Sequence, residues 1–193
     1  MSTVFKNLAL RFIVIAALAV CPSFSFVHAA NIKISALEGQ NLLTDSPQPL
    51  VMGEKGAVVV FLSAKCPCSN SHASLLRKLA EGYKEFRFYG IHSNADESRG
   101  EAQKYFQSVG LHIPIIDDRS GLWADEFKAL KTPHAFVLNP TGDIVYKGGV
   151  TNSNMAETAD KQLLSDALAD LKAGRSVRTP EARTVGCMIA RAK

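Results

Sequence analysis

The chain has 193 residues, 47% of them apolar, which suits one domain of ordinary size whose core needs no disulfide staples. Its formal net charge of +4 comes without a basic block, which leaves out nucleic acid and anionic membrane surfaces as partners. No cofactor-binding motif is read, and no cofactor is expected.

Lys6 and Arg11 precede the apolar run Phe12 to Val20, and Val27-His28-Ala29 offers small residues where a signal peptidase reads. Residues 1–29 are therefore expected to be a secretory signal, with no membrane span left after cleavage, because that run is far short of the roughly 20 residues a spanning helix needs. Leu18-Ala19-Val20-Cys21 raises a competing lipoprotein reading, but Val20 is bulkier than the residue such processing prefers. Loss of Lys6 and Arg11 lowers the formal charge from +4 to +2 and leaves Cys66, Cys68 and Cys187 in an exported, periplasmic setting where disulfides persist. An odd number of thiols cannot all enter fixed staples.

Asn31 to Ser35 alternates like a short strand, and the stretch that follows is turn-rich, with Pro47, Pro49, Gly53 and Gly56. Ala57 to Ser63 is an unbroken apolar run, the pattern of a central strand buried on both faces. From Ser69 to Tyr83 the apolar positions fall on one face of a helix, and Pro67 sits at its first turn, where a missing N–H costs little. Arg87 to His92 reads as a strand, Glu97 to Val109 as a helix ended by Gly110, and Ile113 to Asp117 as a third strand. A short helix over Gly121 to Leu130 carries the only tryptophan, Trp123. His134 to Leu138 and Asp143 to Lys147, joined by Asn139-Pro140-Thr141-Gly142, read as a hairpin, and Met155 to Leu171 as one closing helix. This order predicts an α/β fold, a central mixed sheet with helices on both faces, over residues 30–172. Residues 173–193 form a polar, basic tail that nevertheless holds Cys187 beside Met188 and Ile189.

Three features carry a family likeness: a buried strand ending in Cys66 at a helix start, Thr132-Pro133 just ahead of the hairpin, and the hairpin "FVLNPTGDIVYKGG" itself. Together they resemble the thioredoxin superfamily, in its redoxin branch of cell-envelope thiol-disulfide oxidoreductases and peroxiredoxins, from about Gly56 to Leu171. Exported redoxin-domain proteins with a "GC.I.R" ending extend the likeness to Cys187. The resemblance implies a thioredoxin-like fold and a cis bond before Pro133, which packs against the active cysteine. It also implies that the backbone of Thr132 binds an extended substrate. The partners implied are a protein thiol or disulfide substrate and an envelope reductant or oxidant.

Cys66 is the first candidate for chemistry, because a helix N-terminus favours its thiolate. Lys65 and Ser69 beside it fit a polar junction better than an inert core cysteine. Superfamily dithiol sites place the second cysteine three residues on, where Ser69 stands here. Cys68 departs from that pattern, although a small Cys66–Cys68 ring through Pro67 would be strained and readily exchanged. Cys187 competes with Cys68 to resolve an oxidised Cys66, against a role as a tail residue packed with Met188 and Ile189. His134 is expected to tune the thiolate, with Thr132 and Pro133 shaping the groove.

Two other chemistries stay open. A thiol peroxidase would use Cys66 as a sulfenic acid; Ser63 matches one element of that motif, Val59 stands in its proline position, and Arg87 or Arg119 would have to approach in space. A copper or zinc site would join Cys66 and Cys68 to His72 and His134. The strand Ala57 to Ser63 carries no buried carboxylate of the kind many such enzymes use as a proton acceptor, which leaves Glu126 and His134 as candidates. His92 has no partner visible in the sequence.

Overall fold

The computed structural model describes Ile34 and residues 38–192. The signal segment, Cys21 and most of the Asn31–Ser35 strand lie outside the described residues. Thirteen elements are numbered in chain order: β1 (Glu38–Asn41), β2 (Pro47–Pro49), β3 (Gly56–Leu62), α1 (Pro67–Gly82), β4 (Phe86–His92), α2 (Arg99–Val109), β5 (Ile115–Asp117), α3 (Leu122–Glu126), β6 (Lys131–Thr132), β7 (His134–Leu138), β8 (Ile144–Gly148), α4 (Leu163–Lys172) and β9 (Cys187–Met188).

Seven strands form one mixed sheet in the order β2-β1-β5-β4-β3-β7-β8, and β6 and β9 form a separate two-stranded ladder. All seven residues of β3 are buried, as its apolar run predicts. Side chains alternate along a strand. Val58, Val60 and Leu62 therefore enter one layer with Leu76 and Leu79 of α1, Phe106 of α2 and Leu168 of α4. Val59 and Phe61 enter the opposite layer with Trp123 of α3, Phe127, Phe136 and Ile189. The result is the α/β sandwich with a central mixed sheet that the element order implied.

Four boundaries differ from the sequence reading. The turn-rich stretch holds the β1–β2 hairpin, with Pro47 and Pro49 on an outermost strand paired only to β1, where a proline removes no inner ladder bond. Helix α2 starts at Arg99 because Ser98 and Glu101 form a capping box, each side chain bonding the other's backbone N–H, which leaves Glu97 outside the helix. Helix α3 is confined to five residues. The closing helix is split: a 3₁₀ turn over Ala156–Thr158 is followed by extended Ala159, and α4 begins only at Leu163. Polar side chains compete for the backbone there, with the Asn152 carbonyl accepting from Lys161 N at 3.1 Å and Thr158 Oγ1 donating to Met155 O at 3.2 Å.

Residues 174–192 run back over the fold. Arg175 and Arg178 pair with Asp170 of α4. Lys147 N donates to Pro180 O and Ala182 N to Lys147 O, along the free edge of β8. Cys187 and Met188 pair with Thr132 and Lys131, Ile189 is buried, and Ala95 N donates to Ala190 O. Arg191 ends the anchoring with hydrogen bonds to the carbonyls of Gly121 and Ala129 and an ion pair to Asp125.

Candidate functional site: three thiols at the end of the central strand

Strand β3 runs parallel to β4 and antiparallel to β7, with Leu62 opposite His92 and Phe61 opposite His134. The ends of β3 and β4 and the beginning of β7 therefore meet at one edge of the sheet. Cys66 stands there, four residues beyond the end of β3, at the N-cap of α1 in an extended conformation, with Pro67 opening the first helical turn. The Thr132–Pro133 peptide is cis, as the resemblance implies, and brings Thr132 against the same spot. In its protonated form Cys66 Sγ donates to the Thr132 carbonyl at 3.3 Å.

The tail completes the cluster. Antiparallel pairing sets Cys187 opposite Thr132, and the sulfur atoms of Cys66, Cys68 and Cys187 all lie within 4.8 Å of one another, none of them in a disulfide. Gly186 makes this approach feasible, since a Cβ at that position would fall 2.2 Å from the Thr132 carbonyl oxygen. Cys66 is 3% exposed and Cys68 8%.

The three thiols are unequal acids. Burial works to raise the Cys66 pKa, but the Cys187 thiol, the Thr132 hydroxyl and the amides of Ser69 and Cys187 favour the thiolate by more and bring it from 9.0 to about 7. Among the described residues the buried Thr132 hydroxyl has no other partner, so an ionised Cys66 gives it an acceptor. Burial and the charge on Cys66 push Cys68 up, and burial with the neighbouring thiols pushes Cys187 up to about 12. Cys66 ionises first.

A buried carboxylate supports the turn from below. Glu97 accepts hydrogen bonds from Ser63 Oγ, from Ala64 N at 2.8 Å and from His92 Nε2 at 2.9 Å. Ser63 Oγ in turn accepts from Cys66 N at 3.0 Å. Burial alone would raise the Glu97 pKa; the hydrogen bonds from His92, Ser63 and Ala64 outweigh it and hold the group below its ordinary value. The sequence reading missed this residue by placing it inside α2. Ser98-Arg99-Gly100-Glu101, read as a capping box, is the signal that frees it. Glu126, the carboxylate the sequence suggested, is exposed on α3.

His134 begins β7 with its ring 4.4 Å from that of Phe136, and burial, helped by Lys147 and Lys131, lowers its pKa to about 4. Among the described residues no hydrogen bond links it to a thiol. His72 is buried one turn after Cys68, with Nδ1 2.8 Å from the Cys68 carbonyl oxygen and Nε2 2.8 Å from Thr151 Oγ1. Both its ring nitrogens are thus engaged, and the atom that closes on Cys66 and Cys68 is the Cys187 sulfur. Arg87 sits opposite Ala57 at the far end of the sheet from Cys66, and Arg119 is exposed beyond β5.

A family model described as "Domain of unknown function (DUF6436)" matches residues 36–190, which includes all three thiols and the returning tail. The chain belongs to this family. This DUF6436 protein is also similar to Thiol-disulfide oxidoreductase ResA of Halalkalibacterium halodurans, 26% identical over 132 residues that make up 67% of this chain and 72% of the relative. Its fold is similar to that of an uncharacterized conserved protein from Geobacillus kaustophilus, with a TM-score of 0.74 and 23% identity over 81% of this chain and 89% of the other. A secreted Mycobacterium tuberculosis disulfide oxidoreductase homologous to E. coli DsbE gives a TM-score of 0.55 and 18% identity, covering 74% of this chain and 97% of the other. The fold of the chain is thioredoxin-like, a central mixed sheet flanked by helices, as in these solved structures.

Proposed function

We propose that the protein is an exported thiol-disulfide oxidoreductase whose nucleophile is Cys66. The observation that carries this reading is a cysteine acidified to about 7 with two further thiols within 4.8 Å of it. The Cys66 thiolate attacks one sulfur of a substrate disulfide, forming a mixed disulfide and releasing the other sulfur as a thiolate that takes a proton from water. A second thiol then gives up its proton and attacks Cys66, which releases the reduced substrate and leaves an internal disulfide for an envelope dithiol to reduce. The same steps run in reverse if the partner is an oxidant.

Cys187 is the better placed second thiol. Cys68 lies inside the first turn of α1 with its carbonyl held by His72, so bonding it to Cys66 distorts a helix that ordered contacts maintain. Cys187 sits outside any helix, on a two-residue strand opposite Thr132, with its sulfur within 4.8 Å of that of Cys66. Because the tail covers a nearly buried Cys66, a protein substrate enters as β9 yields its place beside Thr132. Thr132 and Pro133 then shape the groove.

Export is supported by the charged, apolar and small-residue order of residues 1–29; no helix among the described residues is long and apolar enough to cross a membrane. Mass spectrometry of the periplasmic protein tests this through a mature N-terminus at Ala30. The activity is tested by insulin reduction and by oxidation of a reduced model substrate. Cys66→Ser abolishes turnover, Cys187→Ser accumulates the mixed disulfide, and an unchanged rate in Cys66→Ser would sink the reading. Rapid hydrogen peroxide consumption with a sulfenic acid trapped at Cys66 would replace it with peroxidase chemistry.

A further inference from the structure

We propose that the reduced protein binds one copper(I) ion through the three sulfur atoms of Cys66, Cys68 and Cys187. The site does not depend on the redox reading, since it concerns the thiol form only. Among the described residues, these three atoms are the one group of His, Cys, Asp and Glu ligand atoms close enough together to hold an ion.

The geometry suits a three-sulfur shell. Metal–thiolate bonds of about 2.3 Å place three sulfurs around one ion about 4 Å apart, and the present separations are all within 4.8 Å. Cys66 and Cys68, one residue apart at a helix start, form one arm of the clamp, and the anchored tail supplies the other. Its anchors on both sides, at Lys147 before Cys187 and at Arg191 after it, hold the third sulfur in place before any ion arrives.

Ligand number and softness select the ion. A structural zinc site takes four ligands, and among the described residues no fourth joins the group: His72 has both ring nitrogens in hydrogen bonds, and His134 is not part of it. Three clustered thiolates, two of them buried and the third partly exposed, without an oxygen or nitrogen donor match a soft monovalent ion. Binding releases one proton for each thiol that ionises and changes no oxidation state. Three thiolates and one monovalent cation leave net negative charge, which the N-terminus of the sixteen-residue helix α1 opposes. An internal disulfide removes two of the three ligands, so the metal-bound and oxidised forms exclude each other.

The test uses the full mature protein, reduced and kept anaerobic, titrated with copper(I) buffered by bathocuproine disulfonate. One equivalent is expected to bind, X-ray absorption is expected to show three sulfur neighbours, and Cys187→Ser is expected to lose affinity by on the order of 100-fold or more. Circular dichroism of the variant distinguishes lost ligation from lost folding, and Met188→Ala, which keeps all three thiols, retains the affinity. Bound copper(I) also slows oxidation of the thiols by a disulfide reagent. Equal affinity in wild type and folded Cys187→Ser, a two-sulfur shell, or preference for zinc(II) over copper(I) overturns the proposal. Loss of turnover in Cys66→Ser is a separate result, and neither outcome decides the other.

Discussion

Thr132 and Cys187 stand opposite each other in the antiparallel β6–β9 ladder, and the carbonyl of the same Thr132 accepts the Cys66 S–H at 3.3 Å. One residue thus bonds the nucleophile and, through its strand partner, sets the position of the tail thiol beside it. Displacing the tail therefore changes both access to Cys66 and the supply of its partner.

The acidities of the thiols set a pH profile. In reduced protein, alkylation of Cys66 by iodoacetamide rises through a midpoint at pH about 7, while Cys187, pushed up to about 12, stays unmodified across the neutral range. Peptide mapping after timed alkylation separates the two. Equal rates at pH 7 would contradict the assigned order of ionisation.

Glu97 supports the turn that carries Cys66. Glu97→Ala leaves the Ser63 hydroxyl, the Ala64 N–H and the His92 ring without their buried acceptor, at about 1–3 kcal/mol for each group so stranded; relaxation and entering water keep the net loss on the order of 3 kcal/mol, read from urea unfolding. The sign of its pH dependence follows from a pKa held below the ordinary 4.5. Its ionised form stabilises the fold above that value, and the contribution is lost as pH falls through the lowered folded pKa. Glu97→Gln flattens this acid limb.

Gly186 has no room for a side chain. Gly186→Ala drives a methyl into the Thr132 carbonyl, 2.2 Å away before relaxation, so β9 must shift. The expected cost is about 1–3 kcal/mol, with a lower yield of the Cys66–Cys187 disulfide on mild oxidation. Non-reducing peptide mapping measures that yield.

Arg191 fastens the tail beyond the site. Arg191→Ala removes its bonds to the Gly121 and Ala129 carbonyls and costs about 1–3 kcal/mol. Alkylation of Cys66 at pH 7 is expected to speed up several-fold as the cover loosens. A rate equal to that of wild type would show that the tail does not control access.

Much of the scaffold was legible in local pattern. The apolar run over Val58 to Leu62 announced a strand buried on both faces, Pro67 and Gly110 marked helix ends, and "NPTG" marked the hairpin turn. The split of the closing helix was not legible from periodicity, because Asn152 and Lys161 meet through a loop fold that apolar spacing does not record. Glu97 was hidden for a related reason: its apparent place on a helix face concealed a side chain that reaches back 34 residues to Ser63.

By itself the sequence determined that Cys66 follows a buried strand and opens a helix, since strand burial and helix capping depend on residues within a turn or two. It also put three of the four cysteines beyond residue 29, two of them one residue apart at that helix start. Only the tertiary structure decided which atoms surround that cysteine. Sheet order and register bring Thr132 and Cys187 to it across 66 and 121 residues of chain, and they leave His134 against Phe136 and Glu126 in solvent. Those distances follow from how the strands align and where the tail is anchored, and local composition contains neither.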